Sequence, residues 1–218
     1  YKLIPSELAF PLLIVFSIAA MSLAVLQNSR ALAITAITGG FAAPILASTG
    51  QGSHIGLFSY YLVLNCAIFF VAWFKSWRLL NVIGFLFTFI IATFWGVTQY
   101  RSAQFSSTEP FLIAFFLIYV AISVLFSIKQ KPNLKGYVDG TLVFGVPMVG
   151  FGLQSALVHH MEYGLAYSAA ALAGFYLLIA YGLRKKASSN LQLMSQAMLA
   201  LGIIFATLTI PFALDGRW

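Results

Sequence analysis

His159, His160 and Glu162 lie within four residues of one another, in the gap between two apolar runs. An imidazole beside a carboxylate can serve as base and acid toward a substrate at a membrane surface. Glu109 and His54 also stand at the edges of apolar runs. Glu109, His159, His160 and Glu162 are therefore the catalytic candidates. A helical turn would place His159 and Glu162, three apart, on one side as metal ligands. Two histidines and one glutamate nevertheless match no zinc spacing, so no metal site is expected. The single cysteine, Cys66, sits inside an apolar run, which excludes an intrachain disulfide and a cysteine-based metal site. No cofactor is expected either. The competing reading takes these side chains as solvated groups at a membrane boundary.

A second set of candidates comes from breaks in the apolar runs. Residues 39–54 read GGFAAPILASTGQGSH. Gly39 and Gly40 weaken a helix by about 1 kcal/mol each relative to alanine. Pro44 removes one backbone hydrogen bond and presses on the carbonyl four residues back. In hydrocarbon such a carbonyl must find a partner or face a cavity. A counterpart surrounds Gly145 and Pro147, with Gln154 and Ser155 following. Paired Gly/Pro interruptions point to a binding site in transporters, with kinked, closely packed helices as the simpler reading. The cavity candidates are Gly39, Gly40, Pro44, His54, Asn65, Gly145, Pro147 and Gln154. Asn65 is the deepest strongly polar residue, and hydrogen bonding between helices is its simpler role. The loop from Ser48 to Ser53 has glycines but no lysine, so it is not a phosphate-binding loop.

The elements that carry these residues are set by composition. Of the 218 residues 61% are hydrophobic and 8% charged, against about 25% charged in a soluble domain. Runs of about 20 apolar residues predict membrane helices over 7–27, 30–48, 54–74, 79–99, 110–128, 138–158, 164–183 and 191–214. The expected fold is all-α: a polytopic integral membrane protein of eight transmembrane helices. Glu7 and Glu109 are expected in the first turns of spans one and five, with Ser6 and Thr108 as caps and Pro110 at the start. Loops after odd-numbered spans hold Arg30, Lys75, Arg78, Lys129, Lys131, Lys135, Arg184, Lys185 and Lys186; the other side holds Lys2, Arg101 and Arg217. The excess of cations marks the cytoplasmic side, so both ends of the segment face outward. The net charge of +7 then needs no nucleic acid; membrane lipids are the expected partners. Trp73 and Trp77 at the inner boundary, and Trp95 and Tyr100 at the outer one, suit interfacial anchors. Every Lys, Arg, Asp, Glu and His maps to a span end or loop, which argues against proton relays and voltage sensors.

The two halves, 1–102 and 103–218, align as repeats. Ser6-Glu7 pairs with Thr108-Glu109, Phe41-Ala-Ala-Pro44 with Phe144-Gly-Val-Pro147, and Gly56-Leu57 with Gly164-Leu165. Two four-helix units of one orientation, within one membrane domain, would follow.

The run GGFAAPILASTGQGSH, followed by LFSYY and WRLLNVIGF, resembles a bacterial family of polytopic membrane proteins, domain-of-unknown-function family 2339. STEPFLIAFFLIYVAISVLF, GYVDGTLVFGVPMVGFGLQ, EYGLAYSAAAL and ATLTIPFALDGRW are similar to the same family. The resemblance implies an inner-membrane protein of Gram-negative-type bacteria and a parent longer than this segment, as a first residue of Tyr1 also suggests. Other parts of that polypeptide, or other membrane subunits, are then expected partners. It transfers no catalytic residue. Three classes of function stay open: transport or handling of an envelope lipid or polymer near broken spans two and six, a periplasm-facing enzyme using the outer His/Glu residues, and a structural or assembly subunit.

Overall fold

An apolar chain in lipid must satisfy its backbone internally, and a helix does so within one segment. The computed structural model describes residues 6–47, 53–129, 137–185 and 189–214, without the side chains of 6–10, 47, 137–139, 189 and 190. The loop from Ser48 to Gly52, Lys2, Lys131, Lys135, Lys186, Asp215 and Arg217, and the side chains of Glu7 and Asp139, lie outside the described residues. Among the described residues all regular structure is helical: α1 (Ser6–Leu26), α2 (Arg30–Ala47), α3 (His54–Phe74), α4 (Arg78–Gln99), a 3-10 turn (Ser102–Gln104), α5 (Phe105–Lys129), α6 (Tyr137–Val158), α7 (Gly164–Arg184) and α8 (Ser189–Leu214). The chain is an all-α polytopic membrane protein. Six of these helices, α3 to α8, are long and apolar enough to cross a membrane; α1 and α2 contribute shorter apolar stretches, Pro11–Leu26 and Arg30–Leu46.

The expected start of the fifth span needs correction. Helix α5 begins at Phe105 and carries Pro110 inside it. The proline leaves the carbonyl of Ser106 without its helical partner. Ser106 is exposed at the helix end, where water can replace the lost bond. Thr108 is accordingly no cap: it is buried, and its Oγ1 has no hydrogen-bond partner. Gln104 closes the turn instead, its Oε1 accepting from the Arg101 N–H at 3.0 Å while its own N–H donates to the Arg101 carbonyl at 2.8 Å.

The chain forms two units, residues Tyr1–Gln99 with Ile113–Ile122, and residues Tyr100–Leu112 with Ser123–Trp218. In the first, α1 turns into α2 through Asn28, whose φ of 51° lies in the left-handed region that asparagine tolerates. Lys75 Nζ donates to Asn28 Oδ1 at 2.8 Å, fastening the end of α3 to that turn. The Phe41 ring stacks on Tyr61 and Phe87, at 5.3 and 5.6 Å between centroids. Phe16, Leu46, Phe70, Phe94 and Val97 are exposed, as side chains solvated by lipid are.

In the second unit α7 and α8 pack along their lengths. Gly202 permits the approach, because a Cβ there would lie 2.8 Å from Leu177 Cγ. Ser195 Oγ donates to the Ala180 carbonyl at 2.9 Å, and Tyr176 lies parallel to Phe205, 6.0 Å away. Phe151 of α6 joins this layer through Phe205 and Phe212.

Candidate functional site

Pro44 is buried inside α2. Its missing N–H frees the carbonyl of Gly40. Tyr60 of α3 donates its hydroxyl to that carbonyl at 2.7 Å, and Tyr61 donates to the carbonyl of Phe41 at 3.1 Å. Ser17 of α1 also hydrogen-bonds Tyr60. Gly40 makes room for this junction: a Cβ would lie 3.0 Å from Ser17 Oγ and 3.5 Å from Leu64 Cδ1. Gly39 faces open space, with nothing within 4 Å of such a Cβ. The break in α2 is thus a junction whose freed carbonyl, that of Gly40, is occupied, with the neighbouring Phe41 carbonyl accepting from Tyr61.

Asn65 is fully buried, and its polar groups are spent between helices. Its Nδ2 donates to the Tyr61 carbonyl and to Thr88 Oγ1 of α4, both at 2.9 Å. The Tyr119 hydroxyl of α5 donates to Asn65 Oδ1. Thr88 Oγ1 passes its proton to the Gly84 carbonyl at 2.8 Å. One turn before Gly84, Asn81 is 1% exposed with neither amide atom hydrogen-bonded, and nothing in the structure accounts for it. His54 stacks on Trp95 with centroids 5.2 Å apart and meets the edge of Phe58. That contact corrects the anchor role given to Trp95, whose indole is buried by His54 and Phe58. Trp77 is buried too, whereas Trp73 is half-exposed.

In the second unit, Pro147 is buried within α6 and Gly145 half-buried. Gln154, two turns on, donates through Nε2 to Glu109 Oε1 of α5 at 2.8 Å and lies 3.4 Å from Ser168 Oγ of α7. Tyr100 donates its hydroxyl to the Leu157 carbonyl at 3.2 Å. Burial, and then the Glu109 charge, raise the Tyr100 pKa above its ordinary value, so the phenol stays a donor at neutral pH. These contacts tie α5, α6 and α7 together.

Beyond them, residues 159–163 run as successive turns, with the Met161 N–H on the Val158 carbonyl at 2.8 Å and the Gly164 N–H on the Met161 carbonyl at 3.1 Å. A helical turn, which would align His159 with Glu162, is therefore absent. The turns need Gly164, because a Cβ there would lie 2.9 Å from the Val158 carbonyl oxygen. They instead place His159, His160 and Glu162 around an open pocket of about 850 Å³, with Ser155, Val158, Leu165 and Phe212 among its walls. Both histidines and Glu162 are exposed, and the His160 ring stands edge-on to Phe105 at 5.8 Å. Among the described residues no three of His, Cys, Asp or Glu are grouped to hold a metal ion.

The pocket thus unites three of the sequence candidates, and Glu109 is engaged with Gln154 instead. Tyr60, Tyr61, Thr88, Tyr119, Ser168 and Phe212 were not singled out by sequence reasoning. For Tyr60 one signal exists: a proline-freed carbonyl in an apolar segment requires a donor from elsewhere. No curated protein and no solved structure matches the chain. The family described as Predicted membrane protein (DUF2339) matches residues 1–218, the whole of the sequence, and the chain belongs to that family.

Proposed function

We propose that this protein handles an envelope lipid or lipid-linked polymer in a bacterial inner membrane, at a pocket open to the outer side. In this reading α1 and α2 also span, which makes eight crossings with both ends of the segment outside. The nine cations on one side support that orientation. One observation carries the functional reading: the pocket of about 850 Å³ at the joined ends of α6, α7 and α8. Its size is that of a small-molecule site. Its walls pair imidazole and carboxylate groups with Leu165 and Phe212, which suits a molecule with a polar head and an apolar tail at a membrane surface. The catalytic alternative draws less support, since Glu109 already accepts from Gln154.

The two halves of the sequence, 1–102 and 103–218, further read as repeats in which the proline positions correspond and the chemistry has diverged. In the register of Gly56 and Gly164, Tyr60 and Tyr61 fall opposite Ser168 and Ala169. The tyrosine junction belongs to the first half, and a serine that reaches Gln154 stands in its place in the second.

Lipid capture tests the pocket. With irradiation carried out after detergent delipidation, a photoreactive benzoylphenylalanine at position 212 is expected still to give lipid adducts by mass spectrometry. The same probe at Leu178, which is 72% exposed on α7, should then give almost none. Equally low yields at both positions would contradict the reading.

A further inference from the structure

We infer that the pocket selects an aminophospholipid, a lipid whose head joins a primary ammonium to a phosphodiester. The inference rests on the lipid-handling reading and adds the head-group class. The polar wall offers two kinds of partner. Glu162 is a carboxylate, acceptor-only when ionised, while His159 and His160 each present a ring N–H. A purely anionic head would meet the imidazoles favourably and the Glu162 charge unfavourably. A purely cationic head would satisfy Glu162 and leave both imidazole donors unused. A zwitterionic head satisfies both, with its phosphate toward the histidines and its ammonium toward Glu162.

The form of the cation follows from the rest of the wall. Quaternary ammonium groups are held by several aromatic faces around the charge. Phe212 is the one Phe, Tyr or Trp among the pocket-lining residues described, and it packs against Phe151. A carboxylate, by contrast, rewards a cation that donates N–H bonds, which a primary ammonium has and a trimethylammonium lacks. The tail has its own surface. Val158, Met161, Leu165 and Phe212 line the same pocket, near the ends of helices whose outward faces are apolar. The acyl chains can therefore stay in the bilayer while the head reaches the turns 159–163. A soluble amine phosphate would leave this apolar wall in water, so the wall favours the lipid over a free head group.

The test uses the full chain, purified and delipidated. Native mass spectrometry then measures retention of dioleoyl phosphatidylethanolamine, phosphatidylglycerol and phosphatidylcholine added at equal concentration. We expect phosphatidylethanolamine to be retained about tenfold over each of the others. Glu162→Gln, at an exposed position where folding is not at stake, should bring that preference to within about twofold. His159→Ala with His160→Ala should reduce retention of phosphatidylethanolamine and phosphatidylglycerol together. Equal retention of the ethanolamine and choline lipids, an unchanged preference in Glu162→Gln, or full competition by soluble phosphoethanolamine would each overturn the inference. If lipid is captured at position 212 with no head-group preference, this inference fails and the lipid pocket stands. If no lipid is captured there, the pocket reading fails as well.

Discussion

Gly84→Leu is expected to leave little folded protein in detergent, and Gly84→Ala to lower stability by about 1–2 kcal/mol. The Tyr119 hydroxyl lies 2.8 Å from where a Cβ at position 84 would stand, and the Ile68 side chain crowds the same point. Ile68 can rotate away. Tyr119 cannot move without releasing its hydrogen bond to Asn65. Alanine gains about 1 kcal/mol of helix propensity over glycine. Overpacking costs about 1–3 kcal/mol, and a hydrogen bond between membrane helices about 0.6 kcal/mol more. Crowding therefore prevails. Gly39→Ala is the control: a Cβ there meets nothing within 4 Å, so only the propensity term acts and stability holds or rises by up to about 1 kcal/mol. Thermal unfolding of the three variants, followed by retention of monodisperse protein, checks the order.

The second large effect concerns the α2 junction. Tyr60→Phe should cost about 1–3 kcal/mol, because the Gly40 carbonyl is left buried without its 2.7 Å donor. In a Pro44→Ala background the same change should cost less than half as much. The alanine restores the N–H that a helix directs to the carbonyl four residues back, so Gly40 no longer depends on Tyr60. A double-mutant cycle measures this, with a coupling of about 1 kcal/mol or more as the expected result. Additive losses would mean that the Tyr60 hydroxyl stabilises independently of the carbonyl that Pro44 frees.

What the sequence made legible follows from how local each cause is. Span three was expected over 54–74, and α3 runs His54–Phe74, because a polar loop and a lysine bound its apolar run. Span five was misplaced at its start. Pro110 reads as a helix opener, and nothing local reveals that an exposed Ser106 carbonyl lets the helix carry it. Asn65 stood out as a polar residue in an apolar run, but its partners Thr88 and Tyr119 come from other helices. Tyr60 and Tyr61 were hidden because the carbonyls they satisfy lie 20 residues back. In the pocket, His159, His160 and Glu162 declared themselves by type and proximity. Phe212 did not, since only the packing of α8 against α6 brings it there.

An outer-face lipid site requires the pocket to open away from the cytoplasm. Cysteine labelling in intact cells measures it directly, in a Cys66→Ala background that removes the native thiol. A membrane-impermeant maleimide should label His159→Cys in intact cells, and Lys185→Cys only once the cells are permeabilised. Labelling of position 185 but not 159 in intact cells would place the pocket in the cytoplasm and contradict the account.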